Sequence, residues 1–106
     1  MVNVRLDPPL SLYTVESQQA EFLFIADTNN HCIKKLTLSS RAVETVAGQC
    51  GTSGFSDGPL AISLLNQPSN LGVSRAGVVY FFDQGNEYMR ILQAGRVKTL
   101  LLGACK

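Results

Sequence analysis

The sequence lacks tryptophan, holds a single histidine and carries few charges. Of its 106 residues, 16% are charged and 45% are hydrophobic, and the formal net charge is +1. This composition excludes a disordered or acidic tail, and the length allows one domain at most. A nucleic-acid binder usually gathers a clear basic excess on one face, so an excess of one charge argues against that class.

Long hydrophobic runs are also missing. The longest, such as residues 78–82 (VVYFF), fall far short of the roughly 20 residues that a membrane helix needs. The N-terminus is not followed by the apolar core of a signal peptide, because the run DPP at residues 7–9 interrupts it. We therefore expect a cytoplasmic protein.

What the sequence does contain is an internal repeat. Residues 23–36 (LFIADTNNHCIKKL) align with residues 79–92 (VYFFDQGNEYMRIL) at an offset of 56, counted from Asp27 to Asp83. In both copies an apolar run ends in Asp, Asn follows three residues later, and a basic-apolar segment comes next. The flanking segments match at slightly different offsets, so insertions fall in loops while the apolar runs keep their register.

Each copy predicts four short strands, and the fold class is therefore all-β. The second strand of each copy is apolar on both faces, which requires cover on both sides. Four-stranded antiparallel sheets stacked face to face by radial repetition provide that cover, as in a β-propeller. The predicted strands are 11–15, 22–26, 32–38 and 42–47 in the first copy, and 70–74, 78–82, 88–93 and 96–102 in the second.

Paired polar residues occupy the predicted turns. Asp and Asn side chains close turns onto nearby amides and tolerate positive φ, and Gly permits a sharp reversal. We expect these residues to be structural, with the loss of one such hydrogen bond costing on the order of 1–3 kcal/mol. They are Asp27, Asn30, Asp57, Gly58, Asp83 and Asn86.

These motifs resemble the NHL repeat of six-bladed β-propellers. The resemblance rests on residues 26–35 (ADTNNHCIKK), 45–48 (TVAG), 54–58 (GFSDG) and 66–68 (NQP), and it covers nearly the whole chain as two consecutive blades. The second copy departs from the pattern, with Glu87 and Tyr88 where the family usually places His and a basic residue.

The resemblance implies an incomplete propeller of two four-stranded antiparallel blades. It divides the chain into the tail of a blade connector (1–9), a first blade (10–50), an inter-blade connector (51–68) and a second blade (69–106). Two blades do not close a ring. We therefore expect either a segment of a larger NHL protein or a homo-oligomer in which three chains close six blades.

The three cysteines are expected to be free thiols packed as small hydrophobic groups. No two lie at a Cys-x-x-Cys spacing, so zinc has no ligand framework. A bridge between Cys50 and Cys105 is the main alternative. These residues hold equivalent places on neighbouring sheets, about 10 Å apart, which exceeds the Cα separation that a disulfide spans. We expect Cys105 to be the most reactive thiol.

Candidate catalytic motifs have simpler structural interpretations. The Gly54-x-Ser56-x-Gly58 pattern of serine hydrolases needs a strand-to-helix elbow and a nearby His base, whereas this copy lies in the predicted connector. The glycine-rich residues 48–54 lack the Gly-Lys-[Ser/Thr] ending of a P-loop. His31 has no second imidazole with which to bind a metal, so we expect it to be structural.

The function that we predict is a non-catalytic NHL-propeller segment acting as a protein-interaction scaffold, with a protein partner and no cofactor. The resemblance leaves two alternatives. One is a fragment of an NHL-propeller enzyme, a lyase with a metal in the central channel. The other is an RNA-binding NHL propeller, since basic residues such as Lys34, Lys35 and Arg90 lie on the predicted strands, where Glu44 and Glu87 dilute the positive charge.

Overall fold

The computed structural model describes residues 9–16 and 21–100, with side chains from residue 22 onward, and it is all-β. Among these residues, nine strands form two antiparallel sheets. The strands are β1 (Pro9–Glu16), β2 (Glu21–Asp27), β3 (Cys32–Thr37), β4 (Ala42–Gly48), β5 (Gly58–Pro59), β6 (Pro68–Val73), β7 (Val79–Asp83), β8 (Tyr88–Gln93) and β9 (Arg96–Thr99). A single 3-10 turn (Thr28–Asn30) separates β2 from β3.

The first sheet has the order β1-β2-β3-β4, and the second has the order β5-β9-β8-β7-β6. Eight of these strands match the predicted ones to within a few residues. The second sheet differs from the predicted four-stranded blade because it has a fifth strand. Gly58 and Pro59 of the connector pair with Val97 and Arg96 at its edge, a contact that the positive φ of Gly58 (126°) makes possible.

The register repeats between the two sheets. In β2 and β3, Asp27 lies opposite Cys32, and in β7 and β8, Asp83 lies opposite Tyr88. Both hairpins turn through a residue in the left-handed region, His31 at φ 64° and Glu87 at φ 63°. The repeat in the sequence is therefore a repeat in backbone geometry.

The sheets pack face to face around one hydrophobic core. Side chains alternate between the two faces of a strand, and the core collects one face from each sheet. The core residues are Ala26, Ile33, Ala47, Leu65, Leu71, Val79, Phe81, Leu92 and Val97, with Phe24, Val46 and Val73 packed against them. The core thus covers one face of the second strand in each copy, and the apolar residues on its other face, such as Ile25 and Phe82, lie outside this core.

The boundaries predicted for the blades and connectors stay a prediction. Residues 1–8 and 101–106 lie outside the described residues, and with them lie the predicted connector tail, the end of the last strand and Cys105. Within the described part of the chain, no helix is long and apolar enough to cross a membrane.

Candidate functional site

The polar residues of the repeat gather at one edge of the two sheets, where the β2–β3 and β7–β8 hairpins meet the connector. Three backbone hydrogen bonds fasten this edge. Gly51 N donates to Asn30 O at 2.7 Å, Gly85 N donates to Asn66 O at 2.7 Å, and Gly54 N donates to Leu65 O at 2.9 Å. The connector therefore runs along the hairpins and brings distant residues together.

Asp83 is at the centre of the second sheet's polar cluster and is fully buried. One carboxylate oxygen accepts hydrogen bonds from Asn86 Nδ2 and Arg90 Nη1, each at 2.7 Å. The other accepts from the backbone N–H of Asn66 at 2.7 Å. Three donors, one of them the cationic Arg90, therefore compensate the buried charge, as a buried carboxylate requires.

Arg90 is also fully buried, and its guanidinium joins the sheet to the connector. Nη1 donates to Leu64 O at 2.7 Å as well as to Asp83. Nη2 donates to Ser56 O at 2.9 Å and to Asp57 Oδ1 at 2.7 Å. A planar fork of donors is suited to such multiple acceptors, so this side chain links segments separated by 26 to 34 residues.

Asp57 receives further hydrogen bonds from β9. Thr99 donates to it through its backbone N–H at 3.1 Å and through its hydroxyl at 2.8 Å. Partial burial by itself would raise the pKa of Asp57, but the hydrogen bonds from Arg90 and Thr99 outweigh it, and the pKa lies below its ordinary value of 3.8.

The first sheet holds a matching pair at the equivalent positions. Asn30 Nδ2 donates to Asp27 Oδ2 at 3.0 Å, and Lys34 Nζ lies 2.9 Å from the same oxygen. Asp27 is fully buried, and the Lys34 side chain is 16% exposed. Lys34 and Arg90 thus both neutralise buried carboxylates.

The predicted turn residues all lie in these contacts or beside them. The structure places Asp27 with Asn30, and it places Asp83 with Asn86. Asn86 Nδ2 also reaches Gly54 O at 2.9 Å. That these residues are structural stays a prediction, because only substitution measures their contribution.

His31 joins the two sheets rather than standing alone. Its Nδ1 accepts a hydrogen bond from the backbone N–H of Gln67 at 3.1 Å. Thr28 Oγ1 donates to Pro68 O at 2.8 Å nearby. The imidazole nitrogen that a catalytic base or a metal ligand would use at this side is therefore occupied by a backbone amide.

The hydrolase-like motif forms part of the connector. Ser56 pairs with Leu64 through backbone hydrogen bonds in both directions, and its hydroxyl donates to its neighbour's carbonyl, Asp57 O, at 3.3 Å. No strand-to-helix elbow presents this serine. Among the described residues, no group of three or more His, Cys, Asp or Glu side chains could hold a metal ion.

The prediction of three free thiols is wrong. Cys32 and Cys50 form a disulfide, with their Cα atoms 5.0 Å apart, inside the usual range. The alternative bridge from Cys50 to Cys105 is thereby wrong as well. The reason is the β3–β4 hairpin: Cys32 begins β3 opposite Gly48, and Cys50 follows two residues after that glycine. In the second copy Tyr88 replaces Cys32, so the same bridge cannot form there.

An exposed aromatic pair lies over the Arg90 cluster. The rings of Phe55 and Tyr88 stack with centroids 5.3 Å apart, and the Arg90 guanidinium lies 4.8 Å from the Phe55 centroid. Phe55 is 50% exposed and Tyr88 is 43% exposed. Sequence reasoning did not single out this pair, although Tyr88 departs from the NHL pattern at the position where the ring now lies.

A cleft also lies between the two sheets. This cleft of about 340 Å³ is lined by Phe24, Val46, Val79 and Leu92, among others, and it is largely apolar. Lys35 is the cation at this cleft; its Nζ lies 4.3 Å above the Phe22 ring and 3.9 Å from the carboxylate of exposed Glu44.

These features define a class of protein: two repeated antiparallel sheets packed on one another, each with a buried carboxylate and its basic partner at one edge. Two solved structures to which this chain is similar share the fold. An auxiliary nutrient binding protein from Bacteroides ovatus matches with a TM-score of 0.66 and 22% identity, over 85% of this chain and 25% of that chain. Its counterpart from Bacteroides thetaiotaomicron matches with a TM-score of 0.59 and 21% identity, over 83% and 24%.

Sequence relatives name the family more closely. Protein SUPPRESSOR OF QUENCHING 1, chloroplastic, from Arabidopsis thaliana is 30% identical over 93 residues, or 88% of this chain and 8% of that protein. NHL repeat-containing protein 2 from Bos taurus is 28% identical over 92 residues, or 86% and 12%. The human protein of the same name is 25% identical over the same shares. No family model matches the chain.

The resemblance to NHL repeat-containing proteins is thereby confirmed, and the chain is of this type without being assigned to one member. It spans about a tenth of the length of the curated relatives that it matches.

Proposed function

We propose that the chain is a non-catalytic segment of an NHL-type β-propeller that binds a protein partner through the exposed Phe55–Tyr88 pair. The observation that carries the proposal is the pair itself. It exposes two stacked rings at the edge where hairpins and connector meet. Tyr and Phe are enriched at the centres of protein interfaces, where they supply large contact area.

The polar residues around the pair support a binding role rather than a catalytic one. Asp83, Arg90 and Asp57 donate and accept within the fold, and His31 accepts a backbone N–H. Such a cluster holds the rings in place from below, so binding needs little further ordering of the surface. Fixed anchors of this kind lower the entropic cost of association.

The alternatives have weaker support. A lyase requires several ligands converging on a metal, and these would have to come from other parts of a longer protein. RNA binding requires exposed cations beside the aromatics, but Arg90 is fully buried between two carboxylates and exposed Glu87 adds negative charge one residue before Tyr88. A protein partner therefore fits the surface better than RNA.

Localisation belongs with this proposal. The sequence predicts the cytoplasm, but stable disulfides are rare in the cytosol, and the Cys32–Cys50 bridge favours a compartment in which thiols are oxidised. The name of one relative places that protein in the chloroplast.

The test is affinity capture with three matched baits. The tagged chain, the variant Phe55→Ala/Tyr88→Ala and the control Leu38→Ala are incubated with lysate of the source cells, with and without ribonuclease. Leu38 is 40% exposed and lies in the β3–β4 hairpin, away from the aromatic pair. Bound proteins are identified, purified and titrated against all three baits.

We expect a partner protein whose capture is unaffected by ribonuclease and that binds the Leu38→Ala control with the affinity of the wild type. Its affinity for the Phe55→Ala/Tyr88→Ala variant should be lower by roughly tenfold or more, as for interface anchors. Equal affinity for all three baits would contradict the assignment of the surface. Capture that ribonuclease abolishes would support the RNA alternative instead.

A further inference from the structure

The Phe55–Tyr88 pair lies at the rim of the interface between the two sheets. Side chains alternate between the faces of a strand, so Tyr88 shares a face of β8 with Leu92, and Leu92 enters the core between the sheets. The pair is therefore built from β8 and the connector alone. A further sheet packed on the opposite face of the second sheet would contact other side chains, such as Tyr80.

The charged groups around the pair carry an excess of negative charge. The Arg90 guanidinium lies 4.8 Å from the phenylalanine ring of the pair and 2.7 Å from Asp57, so the Asp57 carboxylate lies beside that ring. Arg90 also pairs with Asp83, and exposed Glu87 directly precedes the tyrosine of the pair. Three carboxylates against one guanidinium leave two negative charges uncompensated at this site.

The basic residues of β9 lie on the other face of the sheet. Lys98 lies opposite Ile91, and Arg96 lies opposite Gln93, and opposite residues share a face. Ile91 and Gln93 alternate along β8 with Tyr88. These two cations therefore do not offset the negative charge at the pair.

Asp57 retains acceptor capacity toward solvent. Its Oδ1 accepts from Arg90 and from the Thr99 hydroxyl, whereas its Oδ2 accepts from the Thr99 backbone N–H. A carboxylate oxygen has two lone pairs, so Oδ2 has room for one more donor, and the Asp57 side chain is 48% exposed. The rings beside it, Phe55 and Tyr88, are 50% and 43% exposed. A ligand can therefore reach a ring and a carboxylate together.

We propose that this surface binds an arginine side chain of the partner protein, an inference that rests on the proposed function. The guanidinium stacks on an exposed ring of the pair and donates hydrogen bonds to Asp57 and Glu87. The face of an aromatic ring attracts a cation. Arginine, unlike lysine, combines a flat group that stacks on rings with a fork of donors that matches carboxylates. The rings and carboxylates together therefore select arginine over an acidic or purely apolar segment.

The probe is a short peptide blocked at both ends, Gly-Ser-Arg-Ser-Gly, and three versions in which lysine, citrulline or glutamate replaces the arginine. Citrulline keeps the flat shape of the side chain but carries no charge. The whole chain is isotope-labelled at its phenylalanine and tyrosine rings, and the ring signals are followed by nuclear magnetic resonance up to millimolar peptide. Variants at Phe55 and Tyr88 assign the signals, so the titration reports affinity at the pair itself.

Three variants separate the contributions to binding. Tyr88→Ala removes one ring, and Glu87→Gln removes one charge while keeping the shape of the side chain. Glu44→Gln is the matched control, because Glu44 is an exposed glutamate on β4 of the first sheet. Circular dichroism and the unfolding temperature check that each variant folds, and Tyr88→Leu replaces Tyr88→Ala if that variant does not.

We expect saturable binding of the arginine peptide, binding of the lysine peptide that is weaker by about threefold or more, and none of the citrulline or glutamate peptide. Glu87→Gln should weaken binding of the arginine peptide roughly threefold, as for one exposed ion pair, and Tyr88→Ala should abolish it. The Glu44→Gln control should bind like the wild type. Equal binding of the citrulline peptide, or no saturable change with the arginine peptide, would overturn the inference.

Failure of the proposed function gives a different result. A captured partner protein that binds Phe55→Ala/Tyr88→Ala with wild-type affinity contradicts the binding surface itself. A partner that needs both rings but binds Glu87→Gln with wild-type affinity, at low and at high salt alike, leaves the proposed function standing and overturns the inference of a bound arginine.

Discussion

Replacing Arg90 with Met tests directly how much the buried ion pair contributes to stability. The substitution removes a fully buried cation and its hydrogen bonds to Asp83, Asp57 and two backbone carbonyls. Asp83 remains fully buried, with only the donors from Asn66 and Asn86. Methionine fills much of the volume, so the loss is electrostatic rather than a cavity.

The expected cost is a large part of the stability. Removing one partner of a buried ion pair costs about 3–5 kcal/mol because the other charge is left uncompensated. Domains of this size have about 5–15 kcal/mol in total. We therefore expect Arg90→Met to lose about 4 kcal/mol. Arg90→Lys should lose less, since Lys34 forms the equivalent pair with Asp27 in the first sheet.

Urea unfolding followed by far-ultraviolet circular dichroism measures these differences, since the chain has no tryptophan to report by fluorescence. The matched control is Arg96→Met, an exposed arginine at the start of β9, for which we expect a change within about 0.5 kcal/mol. The double variant Arg90→Met/Asp83→Leu should recover part of the loss, because no buried charge is left unpaired. An Arg90→Met cost no greater than that of the control would refute the reasoning.

Three further outcomes follow from individual contacts. The pKa of Asp57 is lowered in the folded state, so Asp57 contributes stability above its unfolded pKa, and this stability is lost as pH falls through its folded pKa. Asp57→Asn should therefore flatten the acid limb of a stability–pH profile below about pH 4. Reducing the Cys32–Cys50 bridge, which closes a sequence separation of 18, should lower the unfolding free energy by about 3 kcal/mol, and a Cys50→Ser variant should not respond to reductant. Gly48→Ala should lower the unfolding temperature more than Gly77→Ala. Both glycines have positive φ, but only at position 48 would the new Cβ meet a backbone oxygen, that of His31 at 2.5 Å. Equal losses would show that this close approach does not matter.

The local structure could be predicted because each strand carries its own signal. Apolar runs such as residues 22–26 and 78–82 end in Asp, and turn residues follow directly, so strand positions depend on neighbours in sequence. The internal repeat doubled this signal. Asp27 and Asp83 were placed at strand ends for the same reason, and the structure has them there.

Contacts made by the inter-blade connector could not be predicted from local sequence patterns. Residues 51–68 have no periodicity, so nothing in them indicates that Asp57 returns to Arg90 and Thr99, 33 and 42 residues away. The edge strand Gly58–Pro59 is too short to leave a pattern. One signal was available: a basic residue follows each repeat Asp by seven positions, Lys34 and Arg90, as two ion pairs would require.

The disulfide was also within reach of the sequence. An antiparallel hairpin brings the start of its first strand beside the end of its second. The predicted third strand began at Cys32, and the predicted fourth ended three residues before Cys50. Comparing Cys50 with Cys105 by repeat position, rather than with Cys32 by hairpin register, left the Cys32–Cys50 pair unconsidered and gave the wrong prediction of three free thiols.

The central claim is that the two repeats pack face to face in one core, and nuclear Overhauser effects test it most directly. Ala26 and Ile33 of the first sheet share a buried cluster with Phe81 and Val97 of the second. In the chain labelled at methyl and aromatic groups, we predict cross-peaks from the methyl groups of Ala26 and Ile33 to the Phe81 ring or the Val97 methyls. Cross-peaks confined within each sheet would contradict the account.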